Sequence, residues 1–76
     1  MRKTLRPWQV EQIRKLYPEG TRVELIFMDD PYTDLMPGEQ GTVTMVDDTG
    51  TVFVDWDSGS QLGVILGVDR IRIIEK

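Results

Sequence analysis

The chain has 76 residues, with nine Lys and Arg against thirteen Asp and Glu, and neither His nor Cys. That length allows one small core, and the missing Cys and His exclude disulfides and zinc sites built from thiolate or imidazole. A net charge of −4 works against general binding to a phosphate backbone, and no apolar run approaches the length of a membrane span.

Charge is placed unevenly. Residues 1–15 hold Arg2, Lys3, Arg6, Arg14 and Lys15 against Glu11 alone, a balance of +4, while the remainder carries −8. Residues 1–6 read as a basic arm with no apolar segment of the kind a secretory signal needs, so a cytoplasmic protein is expected. The arm could meet phosphate, an acidic partner or the acidic body of a second copy.

Residues 7–18 predict a short amphipathic helix. Pro7 suits the first turn, where a missing N–H costs nothing. Val10, Ile13 and Tyr17 fall on one face with Leu16 beside them, and Glu11 and Lys15 form an i,i+4 pair elsewhere. Pro18-Glu19-Gly20 stops it. A helix this short is marginal alone and must dock on the rest of the chain.

From Thr21 to Met28 the period changes to two, with Val23, Leu25 and Phe27 on one face and Arg22, Glu24, Ile26 and Met28 on the other. The helix is expected to cover the Ile26 and Met28 end. A long loop with two prolines follows, Asp29 to Gly38. Thr42–Val46, with Val43 and Met45 sharing a face, and Thr51–Trp56, with Val52, Val54 and Trp56 sharing a face, flank the turn Asp47-Asp48-Thr49-Gly50, which reads as a hairpin connection. Asp57-Ser58-Gly59-Ser60 leads to a strand over Gln61–Leu66, and Gly67-Val68-Asp69 turns the chain into Arg70–Ile74. Five short strands with closely spaced turns and one long first loop predict a mainly β protein: an SH3-like five-stranded antiparallel barrel over residues 19–76, preceded by one short N-terminal helix. An OB-fold ranks second because it favours a longer chain and longer strands.

Over residues 28–69, MDDPYTDLMPGEQGTVTMVDDTGTVFVDWDSGSQLGVILGVD, the chain resembles a bacterial family known as domain of unknown function 4314. Asp29-Asp30-Pro31-Tyr32, Pro37-Gly38, Gly41-Thr42-Val43, Asp47-Asp48, Trp56-Asp57 and Gly59 stand in the family's order, and the helix segment Ile13–Tyr17 also fits. The resemblance implies a small SH3-like protein carried by phages, integrative elements and related mobile DNA, and it implies no activity. Leu66 departs from the proline that the family tends to place before Gly67-Val68-Asp69, which is expected to loosen that turn.

Asp29, Asp30 and Tyr32 in the long loop, with Trp56 and Asp57, form the expected recognition surface, since an acid pair beside aromatics can grip a basic or proline-rich peptide. The plainer structural expectation is that Asp30-Pro31 starts a turn, that Tyr32 packs on the body, and that Trp56 lies in the core with Val52 and Val54. Asp29, Asp30 and Asp34, or Asp47 and Asp48, offer hard oxygen ligands, but their spacing lacks the alternating ligands and distal Glu of a calcium loop; no metal and no cofactor are expected. No nucleophile stands beside a base at a recognisable spacing, so no catalysis is expected. The leading functional expectation is a non-enzymatic binding module that engages a protein partner. An acidic inhibitor of a bacterial defence system is the second reading. A nucleic-acid-associated barrel of the KOW type, using Arg2, Lys3, Arg6, Arg14 and Lys15, is the third, and the acidic body disfavours it. A small core with open strand edges also suits a homodimer.

Overall fold

Pro7 opens the helix, as its fixed φ and missing N–H allow. In the computed structural model, which describes residues 5–30 and 33–75, this helix, α1, covers Pro7–Leu16. Gln9 Oε1 accepts the Arg6 N–H at 2.8 Å, satisfying a donor at the helix start. Tyr17 ends the helix, its N–H donating to the Ile13 carbonyl at 2.9 Å, and Arg14 and Lys15 lie in the last turn, where the helix dipole favours cations.

Five strands follow: β1 (Arg22–Phe27), β2 (Gln40–Val46), β3 (Val52–Trp56), β4 (Gly63–Val64) and β5 (Arg70–Glu75). They form one sheet in the order β4-β3-β2-β1-β5, every pairing antiparallel. The outermost strands, β4 and β5, do not pair, so the sheet stays open and the expected SH3-like barrel is not formed; the fold is α+β, one helix with an open five-stranded sheet. Closure requires a ladder all the way round. The strand expected over Gln61–Leu66 is reduced to two residues pairing only Val52 with Val64 and Phe53 with Gly63. Before it, the Leu62 carbonyl accepts the Trp56 indole N–H at 3.0 Å, and beyond it Leu66 and Asp69 make only an isolated bridge.

Bulges decide which side chains face inward. Leu25 pairs with Ile71 but Phe27 with Arg70, leaving Ile26 as an extra residue in β1. Val43 pairs with Val54 but Met45 with Phe53, leaving Thr44 extra in β2. An extra residue reverses the facing of everything beyond it. Phe27 and Met45, expected to share the faces of Leu25 and Val43, are therefore 49% and 52% exposed, and Val46 takes the inward place. Strand β3 has no bulge, and Val52, Val54 and Trp56 are all buried as the alternation predicts.

The core is Val23, Leu25, Val43, Val46, Val52, Val54, Trp56 and Val64, closed by Val10 of α1 and Leu35 of the long loop. Gly41 lets two strands approach closely: a Cβ there would stand 2.5 Å from Val54 Cγ1 and 2.9 Å from the Asp55 carbonyl. The helix docks on the β2–β3 hairpin rather than on the Ile26 and Met28 end. Gly50, at φ +86, leaves room for it, because a Cβ there would run into Leu5 Cδ1 and sit 3.3 Å from Ile13 Cδ1. Arg14 pins the dock, donating through Nε to the Val46 carbonyl at 3.2 Å and through Nη2 to Asp48 Oδ1 at 2.9 Å. Ile26 is left 42% exposed. Among the described residues no helix is long and apolar enough to cross a membrane.

Candidate binding cleft

Leu35 is the anchor of the β1–β2 loop, buried among the core side chains. Around it the backbone is tied down: Gly38 N–H donates to the Leu25 carbonyl at 2.8 Å and Leu25 N–H to the Glu39 carbonyl at 2.7 Å. Glu39 Oε2 accepts the Met36 N–H at 2.7 Å, and Thr33 Oγ1 accepts that of Leu35 at 3.2 Å. The start of the loop is held by the turn that leads into β5. Asp69, a buried carboxylate, accepts the Asp29 N–H through Oδ1 at 2.8 Å and the Ile65 N–H through Oδ2 at 2.9 Å. A buried carboxylate is costly unless hydrogen-bonded, and here each oxygen has a backbone donor.

The opposing wall is the turn after β3. Trp56 N–H donates to the Ser60 carbonyl at 2.8 Å, and Gly59 N–H to the Trp56 carbonyl at 2.9 Å. Between loop and turn opens a cleft of about 510 Å³, lined by Asp30, Thr33, Asp34, Leu35, Glu39, Ser58, Ser60 and Leu62. Three carboxylates and three hydroxyls border it, with Leu35 and Leu62 as its apolar lining. No three acidic side chains among the described residues converge closely enough to hold a metal ion.

The residues expected to form one recognition surface separate. Asp30 lines the cleft, whereas Asp29 contributes its backbone N–H to Asp69. Trp56 is 3% exposed, with its indole engaged by Leu62, and offers no surface to a partner. Asp57 lies outside the cleft, bound by both oxygens to Arg22: Nη1–Oδ1 at 2.8 Å and Nη2–Oδ2 at 2.6 Å. The Arg22 hydrogen bonds hold the Asp57 carboxyl below the usual carboxylate range. Arg22 also donates to Thr42 Oγ1 at 2.9 Å, so it braces the outer face of β1 and β2 against the β3 turn. Tyr32, Arg2 and Lys3 lie outside the described residues. Of the rest of the arm, Arg6 and Lys15 are exposed, while Arg14 is held by Asp48 and by Glu11 Oε1 at 2.9 Å.

The Asp47-Asp48-Thr49-Gly50 segment is a turn. Asp47 Oδ1 accepts the Thr49 hydroxyl at 2.7 Å and the Thr49 and Thr51 N–H groups at 2.9 and 3.0 Å. Those bonds, the Thr49 hydroxyl first, lower its carboxyl from the ordinary value.

Of the eight lining residues, sequence reasoning expected only Asp30 at a binding surface; it weighed Asp34 solely as a metal ligand, and missed Thr33, Leu35, Glu39, Ser58, Ser60 and Leu62, as well as Asp69 as the fastening. Both bordering loops are visible as Gly- and Pro-rich punctuation, but which of their side chains turn into the cleft depends on how Leu35 and Trp56 seat in the core. Asp69 carried one signal, an acid at the end of a tight turn, where carboxylates bond nearby amides.

No curated protein is significantly similar to the chain. The model of one family, described as a domain of unknown function (DUF4314), matches residues 6–74, a span from the start of α1 into β5 that includes both walls of the cleft. The chain therefore belongs to the DUF4314 family.

Proposed function

We propose that this domain is a non-catalytic binding module that receives an extended, basic segment of a protein partner in the cleft between the β1–β2 loop and the turn after β3. The observation that carries the reading is the cleft itself: an open space of about 510 Å³ bordered by Asp30, Asp34 and Glu39, with Leu35 and Leu62 as its apolar lining. Carboxylates beside an apolar lining suit Lys or Arg, whose stems lie along apolar surface while their heads meet charge. The absence of His and Cys from the chain removes the commonest general base and the strongest nucleophile, which favours contact over turnover. Competition with nucleic acid for a basic partner's own cleft is one use such a surface would serve. Nucleic acid as the direct ligand has less support, because Arg14 of the basic arm is engaged with Asp48 and Glu11.

A hexa-arginine peptide titrated into ¹⁵N-labelled protein tests the proposal. Shift changes are expected in the amides of residues 33–35 and 58–62, and are expected to vanish in the double variant Asp34→Lys, Glu39→Lys. Changes spread evenly over the acidic surface, or centred on Asp47 and Asp48, would overturn it.

A further inference from the structure

We infer that the groove continues past the acidic cleft into an apolar compartment, so that the partner segment carries an aliphatic side chain at a fixed offset from its basic residue. The inference rests on the reading that the cleft receives a basic segment, and it adds the second half of the recognition element.

A neighbouring cavity of about 250 Å³ shares Asp30 and Leu62 with the cleft; its own walls are the aliphatic Met28, Ile65 and Val68 together with Asp29, Gly63 and Asp69, the last with both carboxyl oxygens taken up by backbone N–H groups. The same two side chains, one at the start of the β1–β2 loop and one just before β4, thus border both spaces. Val68 stands 40% exposed at the tip of the β4–β5 turn, a branched aliphatic side chain left facing water. Met28 and Ile65 are half-buried beside it. The two sides of the compartment are fastened to each other by Asp69, which binds Asp29 N–H on one and Ile65 N–H on the other at 2.8 and 2.9 Å. A compartment held this way needs little ordering when it is filled, and that lowers the entropic cost of binding.

Charge selects the occupant. An apolar slot that opens into three carboxylates favours a segment carrying a cation next to its aliphatic anchor, and penalises acidic segments and uncharged apolar ones. In an extended segment alternate side chains point the same way, so both anchors can face the groove.

The full chain, panned against a soluble eight-residue peptide library with one fixed Arg, tests this. Enrichment of Leu, Ile, Val or Met at one position relative to the Arg is expected. By fluorescence anisotropy, a peptide with Leu at that position should bind about tenfold more tightly than its Gly counterpart, the worth of burying much of one aliphatic side chain. Val68→Ser should remove that advantage and leave the affinity of the Gly peptide unchanged. Intermolecular NOEs from the Leu methyls to the Val68 methyls should give the same answer without a substitution. Arg peptides that bind through Asp34 and Glu39 with no positional aliphatic preference, or with a preference untouched by Val68→Ser and without those NOEs, would overturn the inference and leave the binding reading standing. A library from which nothing binds would overturn both.

Discussion

Asp57 and Arg22 meet through two parallel bonds, at 2.8 and 2.6 Å, on the outer face of the sheet. Because the Arg22 bonds depress the Asp57 carboxyl in the folded state, the pair stabilises the fold fully above the ordinary carboxylate range, near pH 3.9. That contribution fades as pH falls through the folded-state value. Asp57→Asn should therefore be less stable than the parent at neutral pH, with the difference closing in strong acid; urea midpoints across pH measure it, and a gap that stays constant would contradict the pairing. The two Trp residues give a second check. Trp8 is 61% exposed and Trp56 only 3%. In Trp8→Phe the remaining emission should be blue-shifted and resist acrylamide quenching, whereas ready quenching would place Trp56 at the surface. At Gly41, where a Cβ would press on Val54 and on the Asp55 carbonyl, Gly41→Ala should cost about 1–3 kcal/mol, as overpacking does, by equilibrium unfolding. The burial of Trp56 was half legible in the sequence: its alternation with Val52 and Val54 pointed inward, but nothing local showed that the Leu62 carbonyl would meet its indole.

The strands divide by whether they contain a bulge. β3 has none, and its inward residues are those its alternation predicts. β1 and β2 each carry an extra residue, Ile26 and Thr44, and beyond it the facing read from period two fails. A bulge is fixed by the partner strand, a relation between residues far apart in the chain, so periodicity within one segment does not reveal it. Deleting Thr44 should restore a regular ladder with Val43 and Val46 still inward and cost no more than about 1.5 kcal/mol, near the worth of the one hydrogen bond, to the Phe53 carbonyl, that goes with it. Deleting Thr42, which would turn Val43 outward, should abolish cooperative unfolding; equal tolerance of both deletions would contradict the assigned bulge. The helix was legible in position and ends through Pro7 and Pro18, but not in its docking site. Gly50 supplies the gap on the hairpin, and a turn glycine shows no sign of being a seat for Leu5 and Ile13.

At the scale of the molecule, strand count and antiparallel order followed from turn spacing, while closure did not. A two-residue β4 between the Trp56–Leu62 bond and the Leu66–Asp69 bridge leaves the sheet open. The helix sits at the hairpin end, through Arg14 on Asp48, and the acidic cleft is built by the loops at the other ends of β2 and β3. That polarity sets the cations of the helix, Arg14 and Lys15, apart from the carboxylates of the cleft. The most direct measurement of the proposed role is a charge exchange across the cleft, with affinities from anisotropy for hexa-arginine and hexa-glutamate. The parent chain should bind only the first; Asp34→Lys, Glu39→Lys should lose it and take up the second, with the fold unchanged by circular dichroism. Undiminished binding of hexa-arginine by that double variant would contradict the assignment of the cleft.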